Sequence, residues 1–209
     1  MRLSYRLLRT LITLVGRLCF RFRAEGTEAV PVEGPCLLLA HHASFLDPPL
    51  IAAPIPREIH FLARTGVARA PVLAPIFSHF NVHPIRRGGV DRQAIAVCAG
   101  LLREGYPLLL FPEGTRSPDG KVHPPRGGFA MILELAPLTP CVPVLIEGSY
   151  RALPRGRWVP RPARVRVVYG PAFTLSDRAP DEDRRAFYNR CAGELWRRWR
   201  AMGASVAEE

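Results

Sequence analysis

The sequence predicts an α/β domain, a single unit built on a largely parallel central sheet flanked by helices and preceded by a basic amphipathic helix. Two observations carry that class. Short apolar runs bounded by turn residues recur along the chain, and segments with helical hydrophobic spacing lie between them. A third sets the scale: 209 residues, 48% of them hydrophobic, suffice for one sizeable core and require no second.

The first element is helical. Met1 to Arg23 reads MRLSYRLLRTLITLVGRLCFRFR, in which Arg9 and Arg17 interrupt the apolar run and no small-residue cleavage site follows. A membrane-spanning helix needs about 20 mostly apolar residues, and this segment does not supply them. Leu3, Leu7, Leu11, Leu14 and Leu18 recur at helical spacing, with Leu8, Ile12 and Val15 beside them and six arginines but no acid in the segment. Residues 1–24 are therefore expected to form a basic amphipathic helix. It either lies in the headgroup region of a membrane or packs its apolar face on the domain, and both can hold at once.

The domain proper is expected over residues 25–203. Cys36–Ala40, Ile59–Ala63, Val82–Ile85, Leu108–Phe111 and Val142–Ile146 read as buried strands. Arg164–Tyr169 alternates basic and apolar residues, the pattern of a half-exposed strand near an edge. Helical spacing appears at Asp91–Arg103, Phe129–Leu135 and Asp181–Met202. The Pro- and Arg-rich segment Arg151–Pro162 reads as an exposed loop, and the tail 204–209 is expected to fray. On such sheets ligands bind outside the carboxyl ends of the strands, so the residues just after each apolar run are the candidates.

Charge narrows the partners. The formal net charge is +11, and Lys121 is the only lysine among the 29 basic residues. That balance suits a polyanion, either nucleic acid or an anionic lipid surface. The five cysteines include no C-x-x-C pair, which fits neither a disulfide framework nor a zinc site; they read as small buried hydrophobes.

The first candidate strand runs into His41-His42-Ala43-Ser44-Phe45-Leu46-Asp47. Neighbouring side chains at a strand end point to opposite sides, so only one of the two histidines faces a given site. On one helix, five residues turn roughly 140° beyond a full turn, so His42 and Asp47 meet only if the chain bends. Ser44 as an N-cap with Asp47 in the first turn would do it. The carboxylate would then hold Nδ1–H and leave Nε2 as a base. A later strand ends in Phe111-Pro112-Glu113-Gly114-Thr115-Arg116-Ser117, where Pro112 and Gly114 force a tight turn. Glu113 and Arg116 there either meet a ligand carrying hydroxyls and a phosphate or pair with each other to staple the turn. Arg86 and Arg87 before Gly88-Gly89 at a helix start make a natural anion site.

Taken in order, H-x-x-x-x-D, I-x-R, F-P-E-G-T-R-S and V-P-V with a following Gly closely resemble the four sequence blocks of the lysophospholipid acyltransferase family, over roughly His41 to Gly170. Its best-known members are 1-acylglycerol-3-phosphate O-acyltransferases. The resemblance implies a glycerolipid acyltransferase fold with His42 as base and Asp47 as its partner. It implies that Arg87, Glu113, Gly114, Thr115 and Arg116 hold the acceptor and its phosphate, and that Pro143 shapes the site or its donor side. This chain has His41 where many relatives have Asn. Pro125-Arg126-Gly127-Gly128 replaces a more usual aromatic-Lys-x-Gly segment, so Arg126 is the residue to supply that charge.

The implied reaction is direct acyl transfer from acyl-CoA or acyl carrier protein, a co-substrate rather than a cofactor, with no metal. The acceptor would be 1-acylglycerol 3-phosphate, giving phosphatidic acid, or another lysolipid such as a lyso-ornithine lipid. The implied location is peripheral, on an anionic membrane at its cytoplasmic face. There is no G-x-S-x-G elbow for a covalent acyl-enzyme, and backbone N–H groups near Gly114 are the candidates for holding an oxyanion. Adjacent histidines chelate one metal ion poorly, which disfavours a metal hydrolase. A nucleic-acid binder leaves FPEGTRS unexplained, and an inactive lipid-binding relative leaves His42, Asp47 and Glu113 unexplained. His60, His79, His83 and His123 show no partner pattern; Trp158, Trp196 and Trp199 are candidate interfacial anchors, although on the C-terminal helix tryptophans are more often core residues.

Overall fold

A computed structural model describes residues 1–64, 81–85 and 91–207. Helix α1 spans Leu3–Phe20, α2 Asp47–Ala52, α3 Arg92–Arg103, α4 Ala130–Leu135, α5 Ser149–Ala152 and α6 Arg184–Ala201. The strands are β1 (Arg23–Glu25), β2 (Cys36–Ala40), β3 (His60–Arg64), β4 (Asn81–Ile85), β5 (Pro107–Leu110), β6 (Cys141–Glu147) and β7 (Arg166–Tyr169). Among the described residues they form one seven-stranded sheet in the order β1-β7-β6-β2-β5-β3-β4. Among these described strands only the β6–β7 pairing is antiparallel. The expected α/β class and every expected strand are present.

The centre of the sheet reads as the sequence suggests. All five residues of β2 and all four of β5 are buried, as strands covered on both faces must be. On one face, Leu38 and Ala40 join Tyr5, Leu50 and Ile51 beneath α1 and α2. On the other, Leu37 and Leu39 join Cys98, Leu102, Leu133, Leu195 and Trp199 beneath α3, α4 and α6. Helix α6 buries Phe187, Cys191, Leu195 and Trp199 at four-residue spacing. Its N-cap Asp183 accepts from the N–H groups of Arg185 and Ala186, a cap that contributes about 1 kcal/mol. Asp91 caps α3 by accepting from Ala94 N–H at 3.0 Å.

Strand β7 is half-exposed and lies next to the edge, as its alternation suggests, with β1 paired in parallel along its outer side. Three other expectations change. The boundary at residue 24 falls inside β1: α1 ends at Phe20, Arg21 turns the chain with φ 45°, and Arg23 and Ala24 belong to the sheet. The tail does not fray at residue 204, since Val122 N–H donates to Ser205 O and Ala207 N–H to Val122 O, at 2.8 and 3.0 Å. Cysteine 19 is exposed, whereas Cys36, Cys98, Cys141 and Cys191 are buried. Burial pushes the thiols of Cys36 and Cys98 up to about 12, so these are inert apolar fillers.

Helix α1 has two apolar faces. Tyr5, Gly16 and Phe20 are buried against the domain, with Leu8 and Ile12 half-buried beside them. Tyr5 is fully enclosed and its hydroxyl accepts from Ile59 N–H at 3.0 Å. The absence of a side chain at Gly16 lets the helix approach Leu50 and Phe22; a Cβ there would lie 3.3 Å and 3.2 Å from them. On the opposite side Leu3, Leu7, Leu11, Leu14 and Leu18 are left between 53% and 74% exposed. Among the described residues no helix is long and apolar enough to cross a membrane.

Candidate active site

The carboxyl ends of β2, β5 and β6 lie side by side at the middle of the sheet, and the candidate residues emerge there. His41 N–H donates to Val144 O, the last rung of the ladder, after which the chain bends away. Asp47 opens α2 and is completely buried. Its Oδ2 accepts from His42 Nδ1 at 2.8 Å and from Ala43 and Ser44 N–H at 2.6 Å each. One carboxylate oxygen therefore both closes the turn and orients the imidazole. The bend forms as anticipated, but not by the anticipated cap. Ser44 Oγ donates to Leu153 O at 2.8 Å and accepts from Leu46 N–H at 3.2 Å, and Leu46 stands at the N-cap position.

The His42 ring stacks on Phe111, centroids 4.0 Å apart and planes 24° apart. Its side chain is 18% exposed, and among the described residues no hydrogen bond occupies Nε2. An imidazole held at Nδ1 by a carboxylate, packed on one side and open at Nε2, is arranged to take a proton from a hydroxyl.

Glu113 is placed differently from its neighbours on the turn. It is 5% exposed, and both carboxylate oxygens are used inside the protein. Oε1 accepts from His41 Nδ1–H at 2.8 Å and His123 N–H at 3.0 Å, while Oε2 accepts from His42 N–H at 2.9 Å. Ser117 N–H donates to His42 O at 2.7 Å. The Phe111–Ser117 turn thus clamps the main chain of His42 on both its polar groups. The Glu113–Arg116 ion pair considered from sequence does not form; the staple is made with histidine and backbone donors instead. His41, on the opposite side of the strand end from His42, is 1% exposed, and its Nε2 is buried without a partner.

Arg116 turns toward the dyad. Its guanidinium lies 3.7 Å over the ring of Phe45, within the turn that joins His42 to Asp47. Its Nη1 is buried and unpartnered. Burial first, then the positive charge of Arg155, lower its pKa, while Asp47 acts to raise it. Such a guanidinium is short of an anion. Gly114, Thr115 and Arg126 are exposed, and Arg126 N–H is anchored to Pro112 O at 3.0 Å. Gly114 N–H already donates to Phe111 O at 3.0 Å, so it is not the free oxyanion donor considered above. Arg87, with the rest of 86–90, lies outside the described residues.

The fourth block has a structural reason. Pro143, paired with Leu39 in the centre of the sheet, has no N–H to contribute, and its carbonyl accepts from Gly170 N–H at 2.8 Å. Gly148 at the end of β6 has φ 78°, and a Cβ would sit 1.9 Å from Arg164 O, so only glycine fits. Sequence reasoning missed Phe111, Phe45, His41 and the backbone of His123, because each meets its partner only across strands or loops. The i,i+4 spacing of Asp119 and His123, whose side chains bond at 3.0 Å, was the one available signal. His60 and His83 also pair, at 3.0 Å, away from this site; burial holds the His60 pKa at about 4.

The sequence matches the family profile described as Acyltransferase over residues 21–147. It is 30% identical over 136 residues to a chloroplastic 1-acyl-sn-glycerol-3-phosphate acyltransferase, BAT2, of Brassica napus, covering 63% of this chain and 39% of that protein. It is 29% identical over 171 residues to a 1-acyl-sn-glycerol-3-phosphate acyltransferase of Pseudomonas aeruginosa, covering 77% of this chain and 62% of the other. The crystal structure of the 1-acyl-sn-glycerophosphate acyltransferase PlsC from Thermotoga maritima superposes with a TM-score of 0.72 at 26% identity, covering 93% of this chain and 80% of that one.

Proposed function

The chain belongs to the Acyltransferase family, and from that premise we propose that it moves a fatty acyl group from a thioester to the free hydroxyl of a lysophospholipid, with 1-acylglycerol 3-phosphate as acceptor and phosphatidic acid as product. The observation that carries this reading is the His42–Asp47 pair with Nε2 open beside an anion-deficient Arg116. His42 Nε2 takes the proton of the acceptor hydroxyl as that oxygen attacks the thioester carbonyl. The tetrahedral adduct collapses by breaking the C–S bond, and the imidazolium returns its proton to the departing thiolate. Asp47 favours the imidazolium while it exists. General base catalysis supplies about 10²–10⁴-fold, so positioning of the acceptor must supply much of the remainder. The donor is acyl-CoA or acyl carrier protein, and the working place is an anionic membrane surface at its cytoplasmic face.

Support for the acceptor comes from the relatives' names and from Arg116. A phosphate would give its buried Nη1 a partner and offset the charge of Arg155. Arg116→Ala is expected to raise the apparent acceptor KM about 10–100-fold with a smaller change in kcat, since a contact made in both ground and transition states is lost. Steady-state kinetics against acceptor concentration check it; a loss confined to kcat contradicts the assignment. The reaction itself is tested with the purified full chain, labelled acyl-CoA and acyl carrier protein, and a panel of lysolipids. Phosphatidic acid is the expected product. Acylation of a lyso-ornithine lipid alone would move the acceptor, and no product from any pair would sink the reading.

A long-chain acceptor resides in a bilayer, so the protein must dock there. The exposed leucine face of α1 supports this, because the helix is already attached to the domain by its other face. Each leucine contributes roughly 1.5–3 kcal/mol if fully buried, against ~1 kcal/mol for each arginine near anionic lipid. Docking is therefore expected to weaken with salt but to persist in part. Flotation of the full chain with anionic liposomes, compared with a Leu7→Ser/Leu11→Ser/Leu14→Ser variant, measures it. Equal flotation of the two would assign docking to another surface.

A further inference from the structure

The loop between α5 and β7 carries an apolar tip among basic residues. Trp158 and Val159 are 77% and 76% exposed, whereas the chain's other two tryptophans pack in the core, Trp199 completely. Arg155, Arg157 and Arg161 stand beside the tip, exposed and without an ion pair among the described residues, and no acid occurs from residue 151 to 166. Pro154, Pro160 and Pro162 stiffen the backbone, so the tip is held outward with little freedom left to lose.

The loop is also tied to the dyad. Arg161 N–H donates to Ala152 O at 2.8 Å, closing its base, and Leu153 O accepts from Ser44 Oγ at 2.8 Å. Ala152 and Val165, at its two ends, pack in the same cluster as Tyr5 and Leu50, so the loop is rooted on the α1 and α2 side of the sheet. The Trp158 ring stacks near Phe45, centroids 6.3 Å apart and planes 25° apart, and Phe45 in turn carries the Arg116 guanidinium. Trp158, Phe45 and Arg116 thus form a layered stack running from the exposed loop to the dyad turn.

We propose that residues 154–162 form a second docking surface for an anionic bilayer, with Trp158 and Val159 entering the interface and Arg155, Arg157 and Arg161 lying among the headgroups. The inference rests on the reading above that the acceptor is a bilayer lipid, and it adds where the bilayer meets the site: against the turn that holds His42 and Asp47. An acidic carrier protein is the other polyanion such a loop could meet. The apolar tip favours lipid, because tryptophan has an amphipathic ring suited to the boundary between headgroups and acyl chains.

Trp158 can report on itself. The full chain is titrated, without substrate, with vesicles of phosphatidylcholine and phosphatidylglycerol while tryptophan emission is followed. A blue shift and quenching by brominated acyl chains are expected, and both should be absent in Trp158→Phe. The variant R155Q/R157Q/R161Q should bind these vesicles about fivefold more weakly per arginine removed, on the order of 100-fold in all at low salt. Every changed side chain is exposed, so unchanged circular dichroism and Tm are expected. A blue shift that survives in Trp158→Phe overturns the proposal. So does undiminished vesicle binding by the arginine variant, or loss of acyl carrier protein binding in its place. Because no catalysis is measured, failure of acyl transfer and failure of loop docking are told apart.

Discussion

Replacing His42 with alanine is expected to lower kcat by about 10²–10⁴-fold while leaving the fold and vesicle binding intact. Among the described residues two imidazoles in the site are held at Nδ1 by a carboxylate with Nε2 unoccupied, but His41 is 1% exposed whereas the His42 side chain is 18% exposed and within reach of a substrate. Because that side chain is partly exposed, its removal leaves no large cavity. Single-turnover acyl transfer with saturating acceptor checks this. Activity within a few-fold of the parent would falsify the assignment of the base. The companion change Asp47→Asn is expected to lose turnover comparably, but not cleanly. Its Oδ2 also holds the N–H groups of Ala43 and Ser44 at 2.6 Å, so the turn itself loosens and Tm falls as well. A pure orienting role, such as the spacing alone suggests, would have left Tm in place.

Glu113→Leu is expected to be the most destabilising change at the site, by about 3–5 kcal/mol. Three donors converge on this buried carboxylate: His41 Nδ1–H, His42 N–H and His123 N–H. Without it each faces an apolar side chain, and a buried unsatisfied donor costs about 1–3 kcal/mol before relaxation. For a domain of this length each kcal/mol moves Tm by roughly 2–4 °C, so a fall on the order of 10 °C should appear by calorimetry. The measurement also decides between two uses of the residue. Were Glu113 mainly an acceptor-binding group, Glu113→Gln would raise KM and leave Tm nearly unchanged. With the carboxylate turned inward, Glu113→Gln lowers Tm, because an amide N–H₂ must then face a backbone or imidazole N–H. Turnover falls with it, since His42 loses the clamp on its main chain.

What the sequence determined by itself is whatever depends on neighbours along the chain. The apolar runs of β2, β5 and β6 specify buried strands, and capping aspartates with four-residue spacing specify α3 and α6. The five-residue step from His42 to Asp47, with prolines immediately after, leaves room for one tight bend that joins the two. The leucine periodicity of α1 is equally local. Tertiary structure alone decided which way the charged groups point. Glu113 and Arg116 share one short turn, yet the first is drawn inward and the second toward the dyad. The difference is made by backbone N–H groups of His42 and His123 and the ring of Phe45, which come from other segments and must be satisfied or covered where the sheet brings them. The same holds for α1. Its apolar residues wrap much of the helix, and only packing on Leu50 and Ile59 selected Tyr5 and Phe20 for the interior and left the leucine stripe outside. Periodicity identifies a face that avoids water; which face the domain takes depends on the shape of the surface it meets.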